Sequence, residues 1–162
     1  MSEEIMVDMG KYAVSASPDI LVSLGLGSCV GVAIYDSEKK IGGLAHIMLP
    51  NIYDNAKNDT INQNKFADVA LPNMLKDLES KGCNKARLKA KIAGGAHMFS
   101  SLSLNDNMDI GKKNAEAVKI VLEEQSIPIT VNETGGNLGR TIRFDLSNGI
   151  LKIKTKDGIK EL

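Results

Sequence analysis

Two stretches constrain this chain more than anything else in it. Val30-Gly31-Val32-Ala33-Ile34-Tyr35 and Ile41 to Leu49 consist almost wholly of apolar and small residues, separated by the polar Asp36-Ser37-Glu38-Lys39. Runs this short and this uniformly apolar read as strands covered on both faces, so whatever the chain folds into must place layers on either side of them. Ile20-Leu21-Val22-Ser23-Leu24 precedes them as another β-prone run, Arg87 to Ile92 alternates polar with apolar before Gly94-Gly95, and Ile127 to Val131 follows later. Arg140 to Leu146, Asn148-Gly149 and Ile150 to Thr155 give a hairpin with a strong turn signal.

Helical spacing appears twice. Phe66, Ala70, Met74 and Leu78, with Leu71 and Leu75 beside them, mark an amphipathic helix stopped by Gly82, and Pro72 inside it predicts a kink or a break. Ile110, Ala117, Val118, Val121 and Leu122 mark a second helix from about Asp109 to Gln125, closed before Pro128. Asn51 to Asn64 is polar and reads as a mobile loop. Strand-rich stretches broken by two long helices without βαβ alternation predict an α+β layered fold, a single domain over residues 1–162.

A chain of 162 residues can bury roughly two thirds of its unfolded surface without metal or disulfide. Lys plus Arg balance Asp plus Glu at 20 each, which leaves no basic field to attract nucleic acid. The acidic Met1-Ser2-Glu3-Glu4 start lacks a signal pattern and no apolar run reaches the length of a membrane span, so a soluble, cytoplasmic protein without membrane insertion is expected. Two cysteines make no disulfide framework and read as thiols.

The segment Gly25-Leu26-Gly27-Ser28-Cys29-Val30 delivers a cysteine from a glycine-rich bend into the first of the buried strands, and Gly43-Leu44-Ala45-His46-Ile47 carries one of the two histidines on the second. If Asp36 to Lys39 forms a four-residue hairpin loop, Tyr35 faces Lys40. Cys29 then faces His46 with Cβ atoms about 5 Å apart. Such a pair suits acyl transfer: the imidazole takes the thiol proton, the thiolate attacks a carbonyl, and the imidazolium protonates the departing group. Backbone N–H groups around Gly27 and Ser28 can face a developing oxyanion. Ser23, on the preceding strand, is the candidate third group, expected to reach the far nitrogen of His46. A core cysteine and a packed histidine are the competing interpretation.

Other motifs fail. A dinucleotide fingerprint needs glycine where Val30 stands, no Gly-Lys-Ser/Thr follows for a phosphate loop, and Ser28 lacks the flanking glycines of a serine elbow. Cys29, His46, Cys83 and His97 are scattered singly, unlike the paired ligands of zinc sites, so no metal is expected. Cys83 reads as a surface or half-buried thiol, His97 as a loop residue or a binding group, and Thr134 to Arg140 as a turn in which Arg140 or Arg143 can hold a carboxylate.

These segments together resemble the CheD family, chemoreceptor glutamine deamidases of bacterial and archaeal chemotaxis, over nearly the whole chain. The resemblance is carried by Leu24-Gly25-Leu26-Gly27-Ser28-Cys29-Val30 and Ala45-His46-Ile47-Met48-Leu49-Pro50, and supported by Lys65-Phe66-Ala67-Asp68, Ala90 to Ala96 with Met98-Phe99, and Glu133-Thr134-Gly135-Gly136-Asn137. It implies hydrolysis of glutamine side-chain amides in chemoreceptor cytoplasmic helices, without a cofactor. The family's nucleophile falls on Cys29, its base on His46, and its third catalytic position on Ser23, where threonine is the family's residue. It implies a CheC-type response-regulator phosphatase as a second partner. It also implies a three-layer α/β/β sandwich of mixed sheets similar to the catalytic domains of deamidating toxins. The rival function is a noncatalytic module that binds receptors or the phosphatase through Met98, Phe99 and the loop after His46; a redox sensor pairing Cys29 with Cys83 or with a partner is a third.

Overall fold

The computed structural model describes residues 2–52, 62–98 and 109–162. Ten strands and two helices among these residues build an α+β sandwich of two mixed five-stranded sheets with helices on one side. The strands are β1 (Glu4–Met6), β2 (Tyr12–Ala16), β3 (Ile20–Leu26), β4 (Val30–Asp36), β5 (Ile41–Ile47), β6 (Lys89–Gly94), β7 (Ile129–Thr134), β8 (Arg140–Asp145), β9 (Ile150–Thr155) and β10 (Gly158–Glu161). The helices are α1 (Ala67–Ser80) and α2 (Ile110–Glu124). One sheet runs β1-β3-β8-β9-β10 and the other β2-β5-β4-β6-β7.

The second sheet is the middle layer, and β4 at its centre explains the uniformly apolar run. Val30, Val32 and Ile34 of β4, with Ala45 and Ile47 of β5, face Leu71, Met74 and Leu78 of α1 and Val118 and Leu122 of α2 in one core. On the opposite face, Cys29, Ala33 and Leu44 pack against Leu21, Ile142, Phe144, Leu151 and Ile153 of the first sheet. Each of these cores is a source of stability in which truncating a Leu or Met to Ala costs about 2–5 kcal/mol. Small residues at Gly31 and Gly42 let the sheets approach: a Cβ at Gly31 would overlap Ile142 Cδ1, and one at Gly42 would crowd Leu146.

Several expectations are corrected. α1 runs through Pro72 unbroken. Proline there forfeits the bond to the carbonyl of Asp68, and six buried residues, from Ala67 to Leu78, hold the helix in place. Arg87 lies in a short 3-10 turn and β6 starts at Lys89. Its polar face is wet only at first, because Lys91 Nζ donates to the carbonyls of Gly149 and Leu162 across the sandwich. The C-terminal half of the region Asn51 to Asn64 includes a 3-10 turn at Gln63–Lys65; residues 53–61 lie outside the described residues. Strands β1, β2 and β10, absent from the sequence reading, complete the two sheets at their edges.

Candidate active site

Near the end of β3 the chain passes Gly25, whose φ of +60° favours glycine, and after Leu26 it bends through Gly27, Ser28 and Cys29 before β4 begins. All three carbonyls of the bend are held. Gly27 O accepts from Ala96 N at 2.8 Å, Ser28 O from Asn114 Nδ2 at 2.9 Å, and Cys29 O from Gly95 N at 2.8 Å. The N–H groups of the same three residues have no acceptor among the described residues. This close approach depends on Gly94, at φ +113°, where a Cβ would overlap the Cys29 carbonyl oxygen.

Cys29 is buried to 9% exposure and His46 to 3%. In the β4–β5 ladder His46 faces Gly31, not Cys29. The expected loop is displaced by one residue because Asp36 stays in β4 opposite Ile41, leaving Ser37 to Lys40 as the turn. The pairing therefore shifts by two, which preserves the face: Cys29 belongs to the inter-sheet core with Leu44, two residues before His46 on its strand. Continuing the ladder one residue past Val30 and Ile47 would set Cys29 diagonal to His46 on that face, where ideal pairing puts Cα atoms about 7–8 Å apart.

His46 Nδ1 lies 3.0 Å from the carbonyl oxygen of Val7. A carbonyl only accepts, so the ring proton resides on Nδ1 and Nε2 carries the lone pair. Nε2 is buried and has no hydrogen-bond partner among the described residues. Ser23, fully buried, donates its hydroxyl to the same Val7 oxygen at 2.8 Å. The expected Ser23–His46 bond is thus not made. β3 belongs to the facing sheet, and serine and histidine meet only through the shared main-chain acceptor.

Burial pushes the Cys29 thiol above its usual range. It pulls His46 below 6.5, against smaller opposing contributions from the Val7 carbonyl and the Asp8 carboxylate. Both effects disfavour charge and favour a neutral thiol beside a neutral imidazole.

The remaining candidates lie elsewhere. Cys83 is buried in the helix-side core. His97 Nδ1 pairs with Asp109 Oδ2 at 2.8 Å, beside the first turn of α2. Arg140 is spent on the carbonyls of Gly94, Glu133 and Gly135, and Arg143 pairs with Glu4 at 2.6 Å. Met98 is 45% exposed and lies against Gly27, while Phe99 falls outside the described residues. No cluster of His, Cys, Asp and Glu suited to a metal occurs among the described residues. No helix among them is long and apolar enough to cross a membrane. A cleft of about 530 Å³ is lined by Glu133, Arg140 and Lys160, and Cys29 and His46 are not among its lining residues. Two contributors escaped the sequence reading: the Val7 carbonyl, which no side chain announces, and Asn114, a polar residue on the apolar stripe of α2, where its burial was a readable signal.

Residues 48–155 match the family described as CheD, chemotactic sensory transduction. Proteins called probable chemoreceptor glutamine deamidase CheD share this sequence over nearly their full lengths. That of Clostridium kluyveri is 52% identical, covering 99% of this chain and 98% of its own. That of Clostridium novyi is 48% identical over 94% and 93%, and that of Clostridium acetobutylicum 46% over 94% and 91%. With similarity of this extent, the chain belongs to the CheD family.

Proposed function

We propose that this protein hydrolyses the side-chain amide of glutamines in chemoreceptor cytoplasmic helices to glutamate and ammonia, with Cys29 as nucleophile and His46 as general base. The observation that carries this reading is the Nε2 lone pair of His46, buried, unpartnered among the described residues, and on the face that holds the thiol. Its tautomer suits it to accept the thiol proton.

The steps balance as follows. The Cys29 S–H proton passes to His46 Nε2 as sulfur bonds to the carboxamide carbon, giving a tetrahedral oxyanion. Its C–N bond breaks as the imidazolium gives its proton to nitrogen, and ammonia leaves. Water then attacks the thioester, losing a proton to Nε2, and the C–S bond breaks with that proton returning to sulfur. The N–H groups of Gly27, Ser28 and Cys29, unpaired among the described residues, serve the oxyanion; the Gly27 and Ser28 carbonyls, held by Ala96 N and Asn114 Nδ2, turn the Ser28 and Cys29 N–H groups the other way. Ser23 is a positioning residue that shares the Val7 carbonyl with His46. Leu24 and Met98, 58% and 45% exposed, give a receptor helix apolar footing beside the bend. A CheC-type phosphatase is the second partner in this reading.

Incubation with receptor cytoplasmic fragments, followed by peptide mapping, is expected to show a gain of about 1 Da per converted glutamine as amide is replaced by acid. Cys29→Ala is expected to abolish it. Unchanged conversion by that variant would refute the mechanism.

A further inference from the structure

Asn114 is the only fully buried asparagine among the described residues, and it stands in the second turn of α2 on the face turned to the sheet. Its Nδ2 lies 2.9 Å from the Ser28 carbonyl and 2.9 Å from the Met48 carbonyl. Two carbonyl partners fix the orientation of the amide, since a flipped group would set Oδ1 against both. The start of α2 is itself held. Asp109 caps Lys112 N, and Gly111 lies so close to Gly95 and Ala96 that a Cβ would overlap the Ala96 carbonyl oxygen.

Both acceptors belong to the site. Ser28 C=O and Cys29 N–H are parts of one planar peptide and point in opposite directions, so holding the first aims the second. Met48 follows His46 by two residues, just past the end of β5, the strand that carries the base. One amide therefore ties the peptide of the nucleophile to the strand of the base. Asn114 Oδ1, in contrast, is buried without a partner among the described residues. A buried carbonyl with nothing to accept is a cost, and it sets the two donated bonds apart as what the side chain contributes.

We propose that Asn114 is a positioning residue for the reaction, clamping the Ser28 and Met48 carbonyls so that the Cys29 N–H faces the oxyanion while the nucleophile stays in register with His46. The proposal rests on the deamidation mechanism above. Loss of the clamp leaves the thiol in place and spoils the donor that stabilises the tetrahedral intermediate.

The test compares two reactions of one thiol in Asn114→Leu and Asn114→Ala. Deamidation of a receptor fragment passes through an oxyanion, whereas alkylation of Cys29 by iodoacetamide does not. Removing an oxyanion donor outright costs on the order of 100- to 1,000-fold in kcat, so misaiming one is expected to lower kcat roughly 10- to 100-fold. KM and the Cys29 alkylation rate should stay within about threefold, as effects on ground-state binding and thiol reactivity are absent. Deamidation within threefold of the parent overturns the proposal. So does a parallel fall of both reactions, or loss of cooperative unfolding in both variants, since either makes the amide a part of the scaffold only. A Cys29→Ala variant that still deamidates refutes the mechanism itself and is read separately.

Discussion

At the scale of single residues, burial decides how the thiol is activated. A thiol pushed up and an imidazole pulled down favour the uncharged forms of both, so the proposed mechanism has the proton move during attack. The pH dependence follows. In the proposed mechanism protonating His46 removes the base, and because burial lowers its pKa, the acidic limb of kcat/KM is expected to have its midpoint below 6.5. Iodoacetamide labelling of Cys29, which follows the thiolate, should rise with a midpoint above 9.0. A labelling midpoint near neutrality would indicate a preformed thiolate–imidazolium pair instead.

At the scale of elements, the site is made by strand ends brought close by glycine. Gly94 combines a φ of +113° with a position against the Cys29 carbonyl, where a side chain has no room. Gly94→Ala is therefore expected to displace the Cys29 peptide and lower kcat at least tenfold, while far-UV circular dichroism still shows the fold, since misplacements of about 1 Å can cost on the order of 100-fold. Activity close to that of the parent would show that the bend is not held by this approach. The elements themselves were mostly legible. β4 and β5 announced their burial through composition, and α2 its limits through Asp109 and Pro128. β1, β2 and β10 did not, because short edge strands with mixed polar residues carry no periodic signal. The register was legible in face but not in number. Asp36 looks like a loop residue until Arg87, 51 positions away, is seen bonding its carboxylate. The same limit applies to Ser23, whose partner is a main-chain oxygen that side-chain spacing does not reveal.

At the scale of the whole molecule, Asp36 fastens the end of the central hairpin to the segment that follows α1. Its buried carboxylate accepts from Glu38 N, Lys39 N, Asn84 N and both Nε and Nη2 of Arg87. The Arg87 guanidinium and the N–H groups of Asn84 and Lys39 hold its pKa down to about 2 against the opposing effect of burial. Its contribution to stability is complete above the ordinary value of 3.8 and is lost as pH falls toward 2. Asp36→Asn is expected to lower the unfolding free energy by roughly 1–3 kcal/mol at neutral pH, mainly through weakened bonds between a buried group and the N–H donors around it. The gap between parent and variant in denaturant unfolding should close between pH 4 and pH 2; a gap independent of pH would exclude the carboxylate charge as its source.

Val7 lies where the chain leaves β1 of one sheet for β2 of the other, and its carbonyl is the atom on which His46 and Ser23 converge. The orientation of the His46 ring is thereby written into the path of the backbone. Every amino acid at position 7 offers the same oxygen, so an alanine scan would pass over the group that sets the tautomer, and sequence drift there leaves it intact. Only a change of the atom itself would expose it, such as a backbone thioamide introduced at Val7 by chemical ligation.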